Sequence, residues 1–149
     1  RLRQFAAGDP AVLVGDFNFK PGTSSYLLTE GGGSFGAAAN APGAMAELEG
    51  LEERLVGGPA WPEGLRSAYR VFHSSEPAFT NYAQTSGMPE PFVATLDYIW
   101  FTPGRLAVVA CPSLPKGPEA LPGSCPNHPE PSDHLPLLAT LGLAPQGAS

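Results

Sequence analysis

The sequence predicts an α+β domain, and three observations lead to this prediction. Apolar runs that are typical of strands occur at 11–14, 94–102 and 105–110. Two segments with helical spacing of apolar residues lie between the first strand and the others. The 149 residues, 42% of them hydrophobic, leave room for one domain with a sizeable core. The order strand, helix, helix and then three strands favours an α+β or α/β half-sandwich.

The first half of the chain is predicted to hold one strand and two helices. The strand at 11–14 is apolar throughout and is expected to be buried. Thr23 is a candidate N-cap for a short helix that ends at the glycines 31–33. The segment 31–43, rich in Gly, Ala, Ser and Asn, is expected to be a flexible insertion. Apolar residues within 45–55 then predict an amphipathic helix with one face packed on a core.

The second half is predicted to consist mostly of strands. They are expected at 79–82, 94–102, 105–110 and 137–141. The segment 111–131 is dense in proline and is expected to be irregular. A disordered tail is predicted from Gly142, so the domain is expected to span 1–141 and the tail 142–149.

Composition and charge restrict the classes of protein to which this chain can belong. No apolar run approaches the length of a membrane span. The net charge of −6 indicates no basic groove for nucleic acid, so phosphate must be handled by local groups or by a metal cation. Cys111 and Cys125 fit no standard zinc site. A disulfide between them is an alternative, but we favour two unpaired thiols.

A carboxylate and a carboxamide follow the first strand. Gly15 ends the strand, and Asp16 and Asn18 come next with one residue between them, so an extended chain puts both side chains on one side. A carboxylate can hold a metal or orient a water, and a carboxamide can donate to an anionic oxygen. Phosphoester hydrolysis needs both roles. A strand followed by a simple Asx turn is the alternative interpretation.

Two further acidic residues and a histidine are candidates for the same chemistry. Asp97 lies in an otherwise apolar strand, and it should have a partner because burial of an unpaired carboxylate is costly. His134 is suited to acid–base work or to phosphate contact near neutral pH. We expect Asp97 to accept from the His134 ring, to fix its tautomer and to raise its pKa. Asp133 is expected to act on a metal-bound water.

Several motifs occur together in this sequence. They are GDFN at 15–18, TNY at 80–82, TLDYIWF at 95–101 and PSDHLPLL at 131–138. In this order they resemble the endonuclease/exonuclease/phosphatase superfamily, whose fold is that of DNase I. LRSAY at 65–69, FTNY at 79–82 and CPNHPEP at 125–131 are similar to the CCR4-type and nocturnin-like 3′-exoribonucleases, or poly(A) deadenylases. The resemblance implies the carboxyl-terminal half of a four-layered fold with two packed sheets.

The resemblance implies a role for each candidate residue. Asp16 would orient or deprotonate the attacking water, and Asn18 would contact the scissile phosphate. Asp97 would pair with His134, which would stabilise the charge on the phosphoryl group. Asp133 would lie near the metal.

The implied ligands are Mg²⁺ or Mn²⁺ and the 3′ end of a single-stranded RNA. Asp16, Asn18 and Asp133 would be the metal ligands. Phe92 matches an aromatic residue that stacks on adenine, although a loop-anchoring role is the alternative. Asn81 is a candidate substrate contact, with a structural capping role as its alternative. The implied substrate-binding residues are Asn18, Asn81, Phe92 and His134.

The sequence departs from the superfamily in its amino-terminal part. The Glu that is the main Mg²⁺ ligand, an Asn on an earlier strand and a Thr-x-His motif do not occur in their expected contexts. The chain begins at Arg1 and its first residues resemble the helix just upstream of GDFN. We therefore expect a fragment that lacks the amino-terminal half of the domain, binds Mg²⁺ weakly and has little or no activity alone.

Other functions are served by the same motifs. A DNA-repair nuclease, a phosphoinositide phosphatase and a sphingomyelinase are the alternative enzymes, although the acidic net charge argues against an enzyme of duplex DNA. A binding module that has kept the fold but lost the chemistry is the alternative from a different class. An upstream strand carrying Asn and then Glu would distinguish the enzyme from the module. We expect an intracellular protein.

Overall fold

The computed structural model of the protein describes residues 9–31 and 64–144. This part of the chain is α+β, as predicted, with antiparallel sheets and two short α-helices. The strands are β1 (Val12–Asp16), β2 (Arg66–Ser67), β3 (Asn81–Ala83), β4 (Phe92–Ala94), β5 (Asp97–Phe101), β6 (Leu106–Ala110) and β7 (Thr140–Leu143). The helices are α1 (Ser24–Gly31) and α2 (Ala68–His73), with a 3₁₀ turn at Pro118–Ala120. The predicted insertion beyond Gly31 and the predicted helix at 45–55 lie outside the described residues.

The largest sheet has the order β1-β5-β2, with antiparallel pairing throughout. Side chains alternate between its two faces, so Tyr98 and Trp100 point to the same side and both are buried. Tyr26 of α1 packs against them, with its ring centre 5.6 Å from that of Tyr98 and 5.2 Å from that of Trp100. Partly buried Leu13 and Phe17 extend this aromatic core. The core fixes the sheet that carries Asp16 and Asp97.

Strand β1 is buried on one face only, so the prediction of a fully buried strand at 11–14 is wrong. Leu13 packs on the aromatic core, whereas Val12 and Val14 are 46% and 63% exposed. The two valines point to the opposite face of the sheet because successive side chains of a strand alternate. An apolar run predicts a strand, but it does not tell which of its faces is covered.

The predicted strand at 94–102 is two strands in two different sheets. Ala94 ends β4, which pairs with β3, and Asp97 begins β5 in the main sheet. Thr95 and Leu96 connect them, and the backbone N–H of Leu96 donates to the hydroxyl of Thr80 instead of to a neighbouring strand. The short strand expected at 79–82 is β3, which is displaced toward the carboxyl end. The chain thus passes from one sheet to the other directly before Asp97.

The closing strand lies further along the chain than predicted. The closing strand was expected at 137–141, whereas β7 covers Thr140–Leu143. It pairs with β6, and β6 matches the strand predicted at 105–110 to within one residue. Leu138 is outside β7, and its N–H donates to the hydroxyl of Tyr69. The predicted start of the tail at Gly142 is wrong, because pairing with β6 continues to Leu143 and Ala144 N donates to Arg105 O over 3.0 Å, while residues 145–149 of the predicted tail lie outside the described residues.

The Pro-rich segment is attached to the rest of the fold by Cys125. Its N–H donates to the carbonyl of Tyr82 over 2.8 Å, and Ala83 pairs with it in an isolated bridge. Cys111 and Cys125 are both buried free thiols, which agrees with the favoured interpretation. Neither helix of the described ranges is long and apolar enough to cross a membrane.

Candidate active site

The candidate residues meet at one end of the main sheet. Asp16 is the last residue of β1 and lies directly opposite Asp97, the first residue of β5. Residues that face each other in an antiparallel pair project to the same side of the sheet, so the two carboxylates are neighbours. The segment with Asp133 and His134 runs alongside β3, where Asn81 and His134 form an antiparallel bridge. Three separate parts of the chain therefore converge.

Asp97 and His134 form the predicted pair. His134 Nδ1 lies 2.8 Å from Asp97 Oδ2, and their side chains are 29% and 16% exposed. A charge-assisted contact of this length in a half-buried position is strong, because water competes little for either group. Since Asp97 occupies Nδ1, Nε2 is the ring nitrogen that can contact a substrate. The roles of both residues in catalysis remain predictions.

Asp16 and Asn18 are joined by an Asx turn and not by an extended chain. The N–H of Asn18 donates to Asp16 Oδ1 over 2.9 Å, and Asn18 Nδ2 donates to Asp16 Oδ2 over 3.1 Å. Asn18 has a φ of 53°, in the left-handed region that asparagine tolerates better than most residues. The expected extended geometry at Asn18 is thus wrong, although the two side chains do meet. Both carboxylate oxygens of Asp16 are oriented by Asn18.

Asn81 and Asp133 lie beside the Asp97–His134 pair. Asn81 Nδ2 is 3.4 Å from Asp133 Oδ2, and the carbonyl of Asp133 accepts from Tyr82 N over 2.9 Å. Asn81 is buried, and its Oδ1 has no hydrogen-bond partner among the described residues. An unpaired buried oxygen is costly, so this acceptor is suited to a donor or cation that a ligand would bring.

Phe92 stands at the start of β4, five residues before Asp97. Its ring is 42% exposed, and Lys20 Nζ lies 5.3 Å from the ring centre. Lys20 has no role in the sequence-based prediction. A lysine only two residues after Asn18 is the sequence feature that would have indicated a residue near the site.

The side chains around His134 favour its charged form. Desolvation by burial lowers the pKa of His134, but the hydrogen bond and the charge of Asp97 outweigh it, and the net effect is a raised pKa. The charges of Asp133 and Asp16 add to the rise. A protonated imidazole held among carboxylates can donate to an anionic phosphate oxygen.

We predict that His134 makes the stability of the protein depend on pH. Below pH 6.5, its ordinary pKa, the stabilisation is fully present. As the pH rises through the higher pKa of the folded state, the folded chain loses a proton that the unfolded chain has already lost, and this stabilisation disappears. The melting temperature of the wild type should therefore fall across this window relative to His134→Gln. His128→Gln, at an exposed histidine of the Pro-rich segment, is the control for the general effect of replacing a histidine. A His134 ring that titrates at or below 6.5 by NMR would contradict the prediction.

Thr80 was missed as a site residue by the sequence analysis. Its hydroxyl donates to Asp97 Oδ2 over 2.6 Å, and its side chain is completely buried. The residue belongs to the motif FTNY at 79–82, so the signal was a polar residue in a strand motif that received no role.

The comparisons with known proteins agree with this geometry. The Endonuclease/Exonuclease/phosphatase family matches residues 1–134. The CCR4-Not complex 3'-5'-exoribonuclease subunit Ccr4 of Emericella nidulans is 34% identical over 94% of the chain, and that of Coccidioides immitis is 37% identical over 90%. Carbon catabolite repressor protein 4 homolog 4 of Arabidopsis thaliana is 34% identical over 91% of the chain.

The chain matches only a small part of the length of each of these relatives. The chain covers 19% of the Emericella protein, 16% of the Coccidioides protein and 28% of the Arabidopsis protein. The matched part of the present chain includes β1, β5 and the segment with Asp133 and His134. The α+β fold, the convergence of the motifs and the family match lead to one conclusion: the chain belongs to the Endonuclease/Exonuclease/phosphatase family.

Proposed function

We propose that this chain forms part of a metal-dependent phosphodiesterase that removes nucleotides from the 3′ end of RNA. The observation that carries the proposal is the Asp97–His134 pair, 2.8 Å apart, at the end of the sheet where Asp16 faces Asp97. Carboxylates beside a cationic imidazole combine a group that orients water with a group that stabilises phosphoryl charge. Phosphodiester hydrolysis requires both.

Each residue has a task in the proposed reaction. His134 is held by Asp97 through Nδ1, so its Nε2–H would donate to a non-bridging oxygen of the phosphate as negative charge develops there. Asp16, whose oxygens are oriented by Asn18, would accept a hydrogen bond from the attacking water. The amide of Asn18 has a second N–H for the phosphate.

A divalent metal fits the chemistry of these donors but not their number. Carboxylate and amide oxygens of Asp16, Asn18 and Asp133 are the ligands that Mg²⁺ and Mn²⁺ prefer. Within 9–31 and 64–144, however, no group of three or more His, Cys, Asp and Glu side chains could hold a metal ion. Because Mg²⁺ usually keeps several waters, waters and groups outside the described residues would complete its ligand set, and the steps above do not depend on the metal.

The rest of the proposed domain would lie against β1. The chain spans only 19% and 16% of the length of two fungal relatives, so the activity of a whole protein of this kind belongs to the proposal. Among the described strands β1 is at the edge of its sheet, where further strands could pair, and its exposed Val12 and Val14 offer apolar surface on one face of that sheet. A half-domain of this kind is expected to bind Mg²⁺ weakly and to have little activity alone.

RNA is the substrate that the surroundings of Phe92 favour. An exposed aromatic ring next to the ammonium of Lys20 offers a surface for a base and a charge for a phosphate. The printed name of the fungal relatives, 3'-5'-exoribonuclease, points the same way. A DNA-repair nuclease, a phosphoinositide phosphatase, a sphingomyelinase and an inactive binding module remain alternatives that the test must separate.

The test is a hydrolysis assay with the full-length protein and Mg²⁺. We expect oligo(A) RNA to be shortened from its 3′ end, while single-stranded DNA of the same sequence, a phosphoinositide and sphingomyelin remain intact. Hydrolysis of a lipid substrate alone, or binding of RNA without turnover, would overturn the proposal.

A substitution at Phe92 tests the contact with the base. Phe92→Leu should raise KM for oligo(A) by about tenfold, because stacking on an aromatic residue contributes about 1–3 kcal/mol per base. Phe72 is the matched control, since it is 46% exposed on α2, and Phe72→Leu should leave KM unchanged. Equal effects of the two substitutions would indicate a loop-anchoring role for Phe92.

A further inference from the structure

Thr80 is the centre of the hydrogen bonds that assemble the site. Its Oγ1 accepts from Leu96 N over 2.9 Å and from Asp97 N over 3.1 Å, and donates to Asp97 Oδ2 over 2.6 Å. Its own N–H donates to Ala94 O, and its carbonyl accepts from Leu135 N over 2.7 Å. A single buried residue thereby ties β3 to the start of β5 and to the segment that carries His134.

The Thr80 hydroxyl can donate its proton to only one acceptor. A hydroxyl has one proton and two acceptor lone pairs. The N–H groups of Leu96 and Asp97 occupy both lone pairs, so the proton must point to Asp97 Oδ2. The same oxygen lies 2.8 Å from His134 Nδ1. Asp97 Oδ2 is a carboxylate oxygen with no proton to give, so it accepts from both neighbours, and His134 Nδ1 must carry the hydrogen.

We propose that Thr80 is a positioning residue that fixes His134 as the Nδ1–H tautomer by holding Asp97 Oδ2 in place. The backbone N–H of Asp97 donates to the Thr80 hydroxyl, and the hydroxyl donates to Asp97 Oδ2. His134 Nδ1 donates to the same oxygen. With Nδ1–H directed to Asp97, the proton that charges the ring is carried by Nε2, and this Nε2–H is the donor kept for the phosphate. This use of Nε2 rests on the proposed function, but the tautomer itself does not.

A purely structural role for Thr80 makes a different prediction. In that case the hydroxyl would serve only to satisfy the N–H groups of Leu96 and Asp97 where the chain leaves β4 for β5. Its loss would lower stability and leave the His134 tautomer unchanged. Stability alone therefore cannot decide between the two roles.

The decisive measurement is the ¹⁵N NMR spectrum of the His134 ring in labelled protein. In the wild type we expect the Nδ1–H tautomer to predominate at a pH where the ring is neutral. Thr80→Val removes the hydroxyl at similar volume and frees the Asp97 carboxylate to turn away from Nδ1, so the share of the Nε2–H tautomer should rise, and Thr80→Ser should restore the wild-type spectrum. Thr95→Val is the matched control, because Thr95 is also buried and its hydroxyl donates to Pro77 O, away from His134.

Kinetics supply a second readout. Thr80→Val should lower kcat about tenfold, the effect of one lost hydrogen bond, and should change KM less than twofold. An unchanged tautomer in a folded Thr80→Val variant would overturn the proposal.

Asp97→Asn keeps the proposal testable if Thr80→Val does not fold. Because the Thr80 hydroxyl can only donate, it must select the amide oxygen at this position, and His134 should remain the Nδ1–H tautomer. A change to the Nε2–H tautomer would contradict the inferred direction of the protons. A wild-type protein in which the ¹⁵N spectrum shows the Nδ1–H tautomer of His134, but which does not hydrolyse RNA, would refute the RNA function. The inferred role of Thr80 would be unaffected.

Discussion

His134→Ala in the full-length protein is expected to lower kcat for oligo(A) by about 10²–10⁴-fold, the range for loss of a positioned acid–base group. The imidazole is held by Asp97 at 2.8 Å, and its raised pKa favours the charged form, which in the proposed reaction would stabilise a phosphoryl oxyanion. KM should change little, because the charge on the phosphate grows mainly in the transition state. Steady-state kinetics at several pH values would check both parameters.

The controls for this substitution come from the same chain. His128 is exposed in the Pro-rich segment, and His128→Ala should leave kcat within twofold of the wild type. Asp97→Ala combined with His134→Ala should be no slower than His134→Ala alone, since the two residues act as a unit. If the two substitutions instead lowered kcat by independent factors that multiply in the double variant, Asp97 would act on the substrate by a route separate from His134.

Asp16→Asn is expected to reduce kcat about 10²–10³-fold without loss of stability. The change keeps the size of the side chain and an oxygen for Asn18, but removes the charge that in the proposed reaction would orient water and attract a divalent cation. Like charges directly opposite in a sheet are destabilising, and Asp16 faces Asp97 in the register. The melting temperature should therefore stay constant or rise while activity falls.

Asp9 provides the control for the charge at position 16. It is an exposed aspartate ahead of β1, and Asp9→Asn should alter neither kcat nor the melting temperature. If Asp16→Asn instead lowered the melting temperature by several degrees with a small effect on kcat, Asp16 would be a structural turn residue. Its Asx turn with Asn18 would then be its whole role.

Sequence reasoning succeeded where local chemistry determines the outcome. The cost of burying a lone carboxylate predicted a partner for Asp97, and the order of motifs predicted His134 as that partner. Apolar runs located β1, β5 and β6 because alternating side chains leave a readable pattern. These features depend on a few neighbouring residues.

The features that the sequence did not predict depend on contacts between distant segments. Thr80 gained its role from Asp97, 17 residues away, and no periodic pattern encodes a hydrogen bond across two sheets. The turn at Asn18 depends on a left-handed backbone that side-chain alternation ignores. The exposure of Val14 depends on what else packs against the sheet, which an apolar run does not specify.

The passage of the chain from β4 to β5 through Thr95 and Leu96 links catalytic alignment to folding. If β3 detached from its partner β4, Thr80 would move with it. Asp97 would then lose the hydrogen bond that holds it, and His134 would lose its aligned partner. In the proposed enzyme the small second sheet would therefore act as a clamp, and we expect its local opening to stop turnover before the aromatic core unfolds. Heat would then abolish turnover below the temperature of global unfolding.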